Sequence, residues 1–160
     1  EVIVEIGVAY GGSTLYYADL LELHGHGQVV ACDVGLSGVN ARARTHPRVT
    51  LIEGDSTDQD VADSIRNLAV GRRTMVLLDS YHTAEHVKRE LAHYAPLVTP
   101  GCYLIIEDTN INGHPVYAQF GPGPHEAVEE FLSKNPGWER DRSRERLLLT
   151  FNPGGYLKRL

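Results

Sequence analysis

Three carboxylates and one imidazole in this 160-residue chain stand where two apolar runs end, and their types suit metal-assisted proton transfer. Residues 74–79 (T-M-V-L-L-D) end on Asp79, and the run 101–106 is followed by the doublet Glu107-Asp108. As neighbouring strands, these runs would bring all three acids to one edge of a sheet. Like charges crowded there repel unless a proton, water or a cation intervenes. An all-oxygen ligand set suits Mg²⁺, which keeps several waters and leaves positions open for substrate oxygens. His82 follows Asp79 by one short turn. An imidazole titrates near neutrality, so beside a metal-held hydroxyl it can serve as general base. The plain structural alternative makes Asp79 a helix cap and ties Glu107 and Asp108 to a loop.

A second group surrounds the first apolar run, which leads into Glu5-Ile6-Gly7-Val8-Ala9-Tyr10-Gly11-Gly12-Ser13. Glycines allow a tight turn and close approach of the backbone to a ligand. A helix opening near Ser13 would aim free N–H groups at an anion such as a carboxylate. The Gly-x-x-x-Gly spacing differs from the Gly-x-Gly-x-x-Gly of dinucleotide sites, and a ligand-free strand–helix turn would read the same way. Asp33 ends the second strand-like run, where an acid commonly accepts hydrogen bonds from ribose hydroxyls. Asp55-Ser56, after the third, can similarly face an adenine. Together these acids outline a nucleoside-shaped groove.

His82-Thr83-Ala84-Glu85-His86 also matches H-x-x-E-H, a zinc hydrolase pattern. His82 lies at a strand–helix junction, however, and a two-His zinc site needs both imidazoles on one helix face. Glu85 and His86 are therefore read as solvated helix positions. His24, His26, His46, His93 and His114 show no ligand spacing. His114 and Tyr117, in a long loop, are candidates for substrate contact. Tyr16, Tyr17 and Leu20 read as helix packing, and Trp138 as packing under a terminal hairpin.

These residues need a scaffold that delivers strand ends to one edge. Strand-like runs at 2–8, 28–34, 49–53, 74–79 and 101–106 alternate with helical patterns at 13–23, 37–45, 58–69 and 83–94. Near-continuous apolar strands alternating with helices predict a parallel sheet buried on both faces, with ligands at the carboxyl ends of its strands. Residues 109–124 lack a period and carry Gly121-Pro122-Gly123-Pro124, which predicts a functional loop. A helix over 125–134 and an antiparallel hairpin over 138–151 complete the pattern. The expected fold is a Rossmann-like α/β three-layer sandwich, mostly parallel, closed by a C-terminal antiparallel hairpin. No repeat or linker divides it, so 1–160 is expected to form a single domain.

Composition narrows the function. The net charge of −6 argues against nucleic acid as a partner, because phosphate binding needs clustered Lys and Arg. Arg140, Arg142, Arg144 and Arg146 alternate with Glu139, Asp141 and Glu145, the pattern of a solvated edge. Cys32 and Cys102 each sit in an apolar run with no metal or disulfide spacing, which fits a reducing cytosol and a cytoplasmic location. No apolar stretch is long enough to span a bilayer. The chain opens at Glu1 inside a strand pattern and without Met, so N-terminal helices are expected to be missing from view.

With these residues in place, the sequence resembles the cephalosporin hydroxylase/rhamnosyl O-methyltransferase family and related macrolide sugar O-methyltransferases. The shared segments are E-I-G-V-A-Y-G-G-S, A-C-D, E-G-D-S, L-L-D-S-Y-H, I-I-E-D-T-N and G-P-G-P-H-E-A-V-E-E-F, which run over nearly the whole chain. The resemblance implies a class I S-adenosylmethionine-dependent methyltransferase. Its cofactor site is expected to draw on Glu5, Gly7, Tyr10, Gly12, Ser13, Asp33, Asp55, Ser56 and Asp79. It implies Mg²⁺ on Asp79, Glu107 and Asp108, with His82 as base. The spacing is also similar to catechol-type O-methyltransferases, where a Lys base follows the first metal acid by three residues and His82 fills that place here. In relatives the N-terminal region helps cover substrate and build oligomers, so a homo-oligomer is among the expectations. The implied reaction deprotonates a hydroxyl of a small hydroxylated substrate, one of a vicinal pair on a sugar or natural product, for in-line attack on the sulfonium methyl. A non-catalytic S-adenosylmethionine-binding subunit and an NAD(P)-dependent oxidoreductase on the same sheet stand as the alternatives.

Overall fold

A computed structural model describes residues 1–160. Seven strands, β1 (Val2–Ile6), β2 (Gln28–Asp33), β3 (Val49–Glu53), β4 (Thr74–Leu78), β5 (Tyr103–Ile106), β6 (Trp138–Arg140) and β7 (Tyr156–Arg159), form one sheet. The helices are α1 (Gly12–Leu23), α2 (Ala41–Thr45), α3 (Gln59–Ala69), α4 (Ala84–Tyr94) and α5 (Pro124–Lys134). The sheet order is β3-β2-β1-β4-β5-β7-β6, with β1 to β5 parallel and the last two strands antiparallel to their neighbours. The expected Rossmann-like sandwich is the observed architecture.

Strand alternation assigns the two faces. Val2, Val4 and Ile6 join Val76, Leu78 and Leu104 in the larger core, where Ile65 of α3, Leu91 of α4 and Val128 of α5 pack. Val29 and Ala31 point to the opposite face and pack with Ala18 and Leu21 of α1 and Ala43 of α2. Each fully buried aliphatic side chain contributes roughly 1.5–3 kcal/mol, so this two-sided burial is what holds the parallel strands together. Local signals set the helix starts. Asn40 Oδ1 accepts from Ala43 N–H to cap α2, and Glu126 Oε2 accepts from Gly123 N–H to close the entry to α5.

The chain reverses its progress across the sheet between β1 and β4, which makes their carboxyl ends a topological switch point. Ile6 pairs with Cys32 on one side and Leu78 on the other. Gly7 N–H then donates to Cys32 O at 2.9 Å, and Asp79 N–H donates to Ile6 O at 2.7 Å. Leu78 in turn pairs with Ile106, and Glu107 N–H donates to Leu78 O at 3.0 Å. This register delivers Asp33, Asp79 and Glu107 to one edge, as the strand ends predicted.

The C-terminal hairpin is the main departure. Residues 138–151 were expected to hold both strands, yet β6 pairs with Tyr156–Arg159 instead. Leu147, Leu148, Leu149 and Phe151 stay outside the sheet with exposed side chains. The turn Asn152-Pro153-Gly154-Gly155 accounts for the shift. A Cβ on Gly155 would lie 2.1 Å from Ile106 O, so only glycine lets the chain enter beside β5, after which Leu157 is fully buried. Trp138 lies on β6 itself and packs edge-on against Phe131 of α5, with ring centroids 5.5 Å apart. Tyr16 and Leu20, expected as packing residues, face outward.

Gly7 has φ +96° and a Cβ there would stand 1.9 Å from Asp79 O. Gly7→Ala is expected to cost about 3 kcal/mol or more and to lower the thermal unfolding midpoint by roughly 10 °C, measured by circular dichroism. An unchanged midpoint would show that the two strand ends tolerate separation.

Candidate active site

A cleft of about 590 Å³ opens at the switch point. Gly7, Tyr10, Gly12, Ser13, Asp33, Ser56 and Asp79 line it, as expected, and so do Ser80, Tyr81 and His86. Gly11 adopts a left-handed conformation at the start of α1, and Asn40 Nδ2 donates to Tyr10 O at 2.8 Å, holding the turn from beneath α2. Asp33 is bound into the same turn. Its Oδ2 accepts from Val8 and Ala9 N–H at 2.8 and 3.0 Å, and its Oδ1 accepts from Gly35 N–H at 3.2 Å. Burial works to raise its pKa, but these backbone donors outweigh it and hold the carboxyl below the usual range. Asp33 thus enters the cleft ionised and already oriented.

Two expected cofactor residues stand elsewhere. Glu5 shares its strand face with Ile3, so it points under α1, where Thr14 Oγ1 donates to it and only 3% of it is exposed. Burial raises its pKa against the Ser13 and Thr14 hydrogen bonds. Asp55 is exposed, and its Oδ1 accepts from Thr57 N–H and Oγ1 at 2.8 Å each, forming a local turn before α3. Neither lines the cleft.

Asp79 belongs to the cleft and also to a second cluster. One ligand atom each of Asp79, His82 and Asp108 fall within 4.8 Å of one another. His82 Nε2 lies 3.4 Å from Asp108 Oδ2 and 4.0 Å from Asp79 Oδ1. Glu107, expected as a third metal acid, stands outside this close group but within its field. Burial first, then Asp108, Glu5 and Glu90, push the Asp79 carboxyl up to about 6. Burial and then Asp79 raise Glu107, opposed by the Asn152 side chain and His82. Two residues past Asp108, Asn110 Oδ1 is buried without a hydrogen-bond partner. Converging hard oxygens under mutual repulsion are the donor chemistry that a Mg²⁺ ion fits.

His82 and His86 do not converge. His82 precedes α4, while His86 Nε2 faces Ser56, Ser80 and Glu90 at 3.2–3.3 Å. The two imidazoles therefore share no zinc site, and Glu85 is exposed. His86 corrects the reading of a solvated position, because the turn of α4 carries it into the cleft wall.

Comparison with known proteins decides the family. The family model for rhamnosyl O-methyltransferase/CmcI matches residues 1–160. The chain belongs to this family. A rhamnosyl O-methyltransferase from Mycobacterium tuberculosis is 37% identical over 164 residues, covering 99% of this chain and 67% of that protein's length. A solved structure of CmcI with Mg and S-adenosylmethionine superimposes with a TM-score of 0.71 at 24% identity, covering 99% of this chain and 64% of that one. The MycE methyltransferase of the mycinamycin pathway, with Mg, S-adenosylhomocysteine and mycinamycin VI, gives 0.61 at 21% identity over 82% of this chain and 36% of that one. The chain is thus an S-adenosylmethionine-dependent O-methyltransferase domain spanning about two thirds of its rhamnosyl relatives. S-adenosylmethionine and Mg²⁺, the expected cofactors, are those named in the similar structures. No helix is long and apolar enough to cross a membrane.

One residue that supports the acidic cluster escaped the sequence reading. Asn152 is 7% exposed, and its Oδ1 accepts from Asp108 N–H at 2.9 Å. Asp108 has φ +53°, a left-handed conformation that Asp tolerates only with local support. Asn152 supplies that support from the turn before β7, and its side chain also works to lower the pKa of Glu107. The polar turn N-P-G-G was the available signal, but nothing in its local pattern names Asp108 as its partner. In the long loop 109–123, His114 stacks on His125 with centroids 3.7 Å apart and bonds Glu126 at 3.0 Å, which engages it in anchoring the loop to α5.

Crowding at Asp79 sets a pH signature. With its carboxyl raised to about 6, the fold retains a proton that the unfolded chain releases, so the metal-free fold loses stability as pH rises through that window. A cation held by Asp79 would take the place of that proton. The Mg²⁺-induced rise in melting midpoint should be small near pH 5 and grow as pH passes about 6, as scanning calorimetry would record. Asn152→Ala should shrink that rise at neutral pH. A pH-independent Mg²⁺ effect would separate the ion from Asp79.

Proposed function

We propose that this chain is the catalytic domain of an S-adenosylmethionine- and Mg²⁺-dependent O-methyltransferase acting on a hydroxylated small molecule, a sugar or natural product with a vicinal diol. The observation that carries the reading is the double membership of Asp79, which lines the cleft and stands in the cluster with His82 and Asp108. One residue therefore joins a nucleoside-sized space to a group of hard ligands. The names of the relatives support the substrate class, one being a rhamnosyl enzyme and another a structure holding mycinamycin VI.

When bound, S-adenosylmethionine supplies an electrophilic methyl group and Mg²⁺ acidifies a coordinated hydroxyl. The chain's own residues do the rest. Gly7, Gly12 and Ser13 let the backbone close around the amino-acid end, with the N-terminus of α1 favouring its carboxylate. Asp33, ionised and held by three backbone donors, accepts from ribose hydroxyls. Asp79 and Asp108 would hold the cation, with the negative charge of Glu107 close by. His82 takes the substrate proton on its imidazole, and Asp108, 3.4 Å from Nε2, stabilises the imidazolium that forms. The irregular segment 109–123 covers the substrate side, and the whole of 1–160 acts as one methyltransferase unit.

The same cluster supports a second reading, in which His82 is the third metal ligand and not the base. Mg²⁺ prefers oxygen over imidazole nitrogen, which favours the base. His82→Ala separates the two. As a base, its loss should lower kcat roughly 10²–10⁴-fold while Mg²⁺ and S-adenosylmethionine affinities stay within a few-fold. As a ligand, its loss should weaken Mg²⁺ binding more than tenfold by calorimetry. Asp79→Ala should remove both Mg²⁺ dependence and most turnover on a panel of sugars and glycosylated natural products. Cofactor binding without turnover on any such substrate would favour a non-catalytic subunit, and unchanged kcat in both variants would end the mechanism.

A further inference from the structure

A buried carboxylate behind the cofactor cleft has no part in the mechanism above. Glu90, on α4 and 1% exposed, accepts from Ser56 Oγ and Ser80 Oγ at 2.5 Å each. His86 Nε2 lies 3.2 Å from the same Oε1 and 3.3 and 3.2 Å from the two hydroxyls. Tyr81 meets the His86 ring edge-on, with centroids 5.6 Å apart. Tyr94 O–H, also buried, donates to Ser56 O at 2.6 Å and fixes the backbone there. Ser56, Ser80, Tyr81 and His86 line the cleft, whereas Glu90 stands behind them.

This set resembles a Ser–His–acid nucleophile in composition but not in geometry. Such a relay needs the nucleophile and the acid on different ring nitrogens. Here Nε2 alone faces both serines and the acid. The arrangement has a different consequence. A carboxylate only accepts, and each serine hydroxyl has one proton to give. With both protons directed to Glu90, the two oxygens turn only lone pairs toward the cleft.

We propose that Glu90 is a specificity-determining positioning residue: by taking both hydroxyl protons it makes the Ser56–Ser80 end of the cleft an acceptor pair that reads the exocyclic amino group of a 6-aminopurine and rejects a 6-oxopurine. The inference rests on the reading of the cleft as a nucleoside cofactor site. An oxo group brought against these oxygens would meet acceptor with acceptor in a partly desolvated site. Mismatches of that kind commonly cost one to two orders of magnitude in affinity, roughly 10–100-fold. His86, braced by Tyr81, keeps the third side of Glu90 occupied.

The test is calorimetric binding of S-adenosylhomocysteine and S-inosylhomocysteine to the whole chain and to two variants. The wild type should prefer the adenosyl ligand by roughly 10–100-fold. Glu90→Gln keeps the shape but frees the hydroxyls to turn and donate, so the preference should fall about tenfold, with tighter inosyl binding. Ser80→Ala should weaken the adenosyl ligand and leave the inosyl ligand nearly unchanged. A purely structural role for Glu90 would weaken both ligands alike and preserve their ratio. Equal binding of the two ligands by the wild type, or an unaltered ratio in the variants, would overturn the inference while leaving the cofactor site intact. Binding of neither ligand would overturn the nucleoside reading itself. Should Glu90→Gln fail to fold, the wild-type ratio and Ser80→Ala still decide.

Discussion

The approach of two strand ends, Gly7 of the β1 exit and Asp79 of the β4 exit, is the contact on which the rest of the site depends. A parallel sheet opens a crevice only where the chain changes direction, and these are the two strands that flank that reversal. Their backbones come so close that no side chain fits at Gly7. The closeness has two results. It lets the glycine turn fold back over the sheet edge toward α1, forming one wall of the cleft. It also fixes Asp79 at the seam between that cleft and the acidic cluster, so that one residue belongs to both.

The electrostatics follow from this crowding. Register alone sets Asp33, Asp79 and Glu107 along a single edge, with Asp108 one residue further. The fold treats them differently. Asp33 is satisfied by backbone donors and keeps its charge, whereas the Asp79 and Glu107 carboxyls, partly desolvated and crowded by like charges, are pushed up from the usual range. An edge with one satisfied acid and one frustrated group divides naturally into a place for neutral hydroxyls and a place for a cation. The Arg-rich surface segment contributes little by comparison. Arg140, Arg142 and Arg144 are matched with Glu129, Glu145 and Asp141 at the surface, where ion pairs are worth about 1 kcal/mol or less.

Much of this was legible before any coordinates. Apolar runs ending on glycine or acid, spaced by helical patterns, identify buried parallel strands, and sheet chemistry places ligands at their ends. The positions that misled were those whose direction depends on packing. Glu5 sits in a motif that borders the cleft, yet strand alternation turns it beneath α1 to meet Thr14. His86 reads as a surface residue, but the seating of α4 turns it inward with Glu90. The apolar segment Leu147–Leu149 has strand-like composition, yet the sheet takes the less apolar Tyr156–Arg159, because Gly155 before it can pass Ile106 where a side chain could not.

By itself, then, the sequence determined the order of strands and helices, the edge at which chemistry collects, and the residue types available there, because these follow from hydrophobic period and from local turn chemistry. It also carried the motifs of the rhamnosyl O-methyltransferase/CmcI family. Tertiary structure alone decided which acids converge, that Asn152 steadies Asp108 from a distant turn, and that Glu90 orders two hydroxyls through the wall of the cleft. Those pairings join residues 10 to 44 positions apart, and such contacts are set by sheet register and helix seating, which no local pattern encodes.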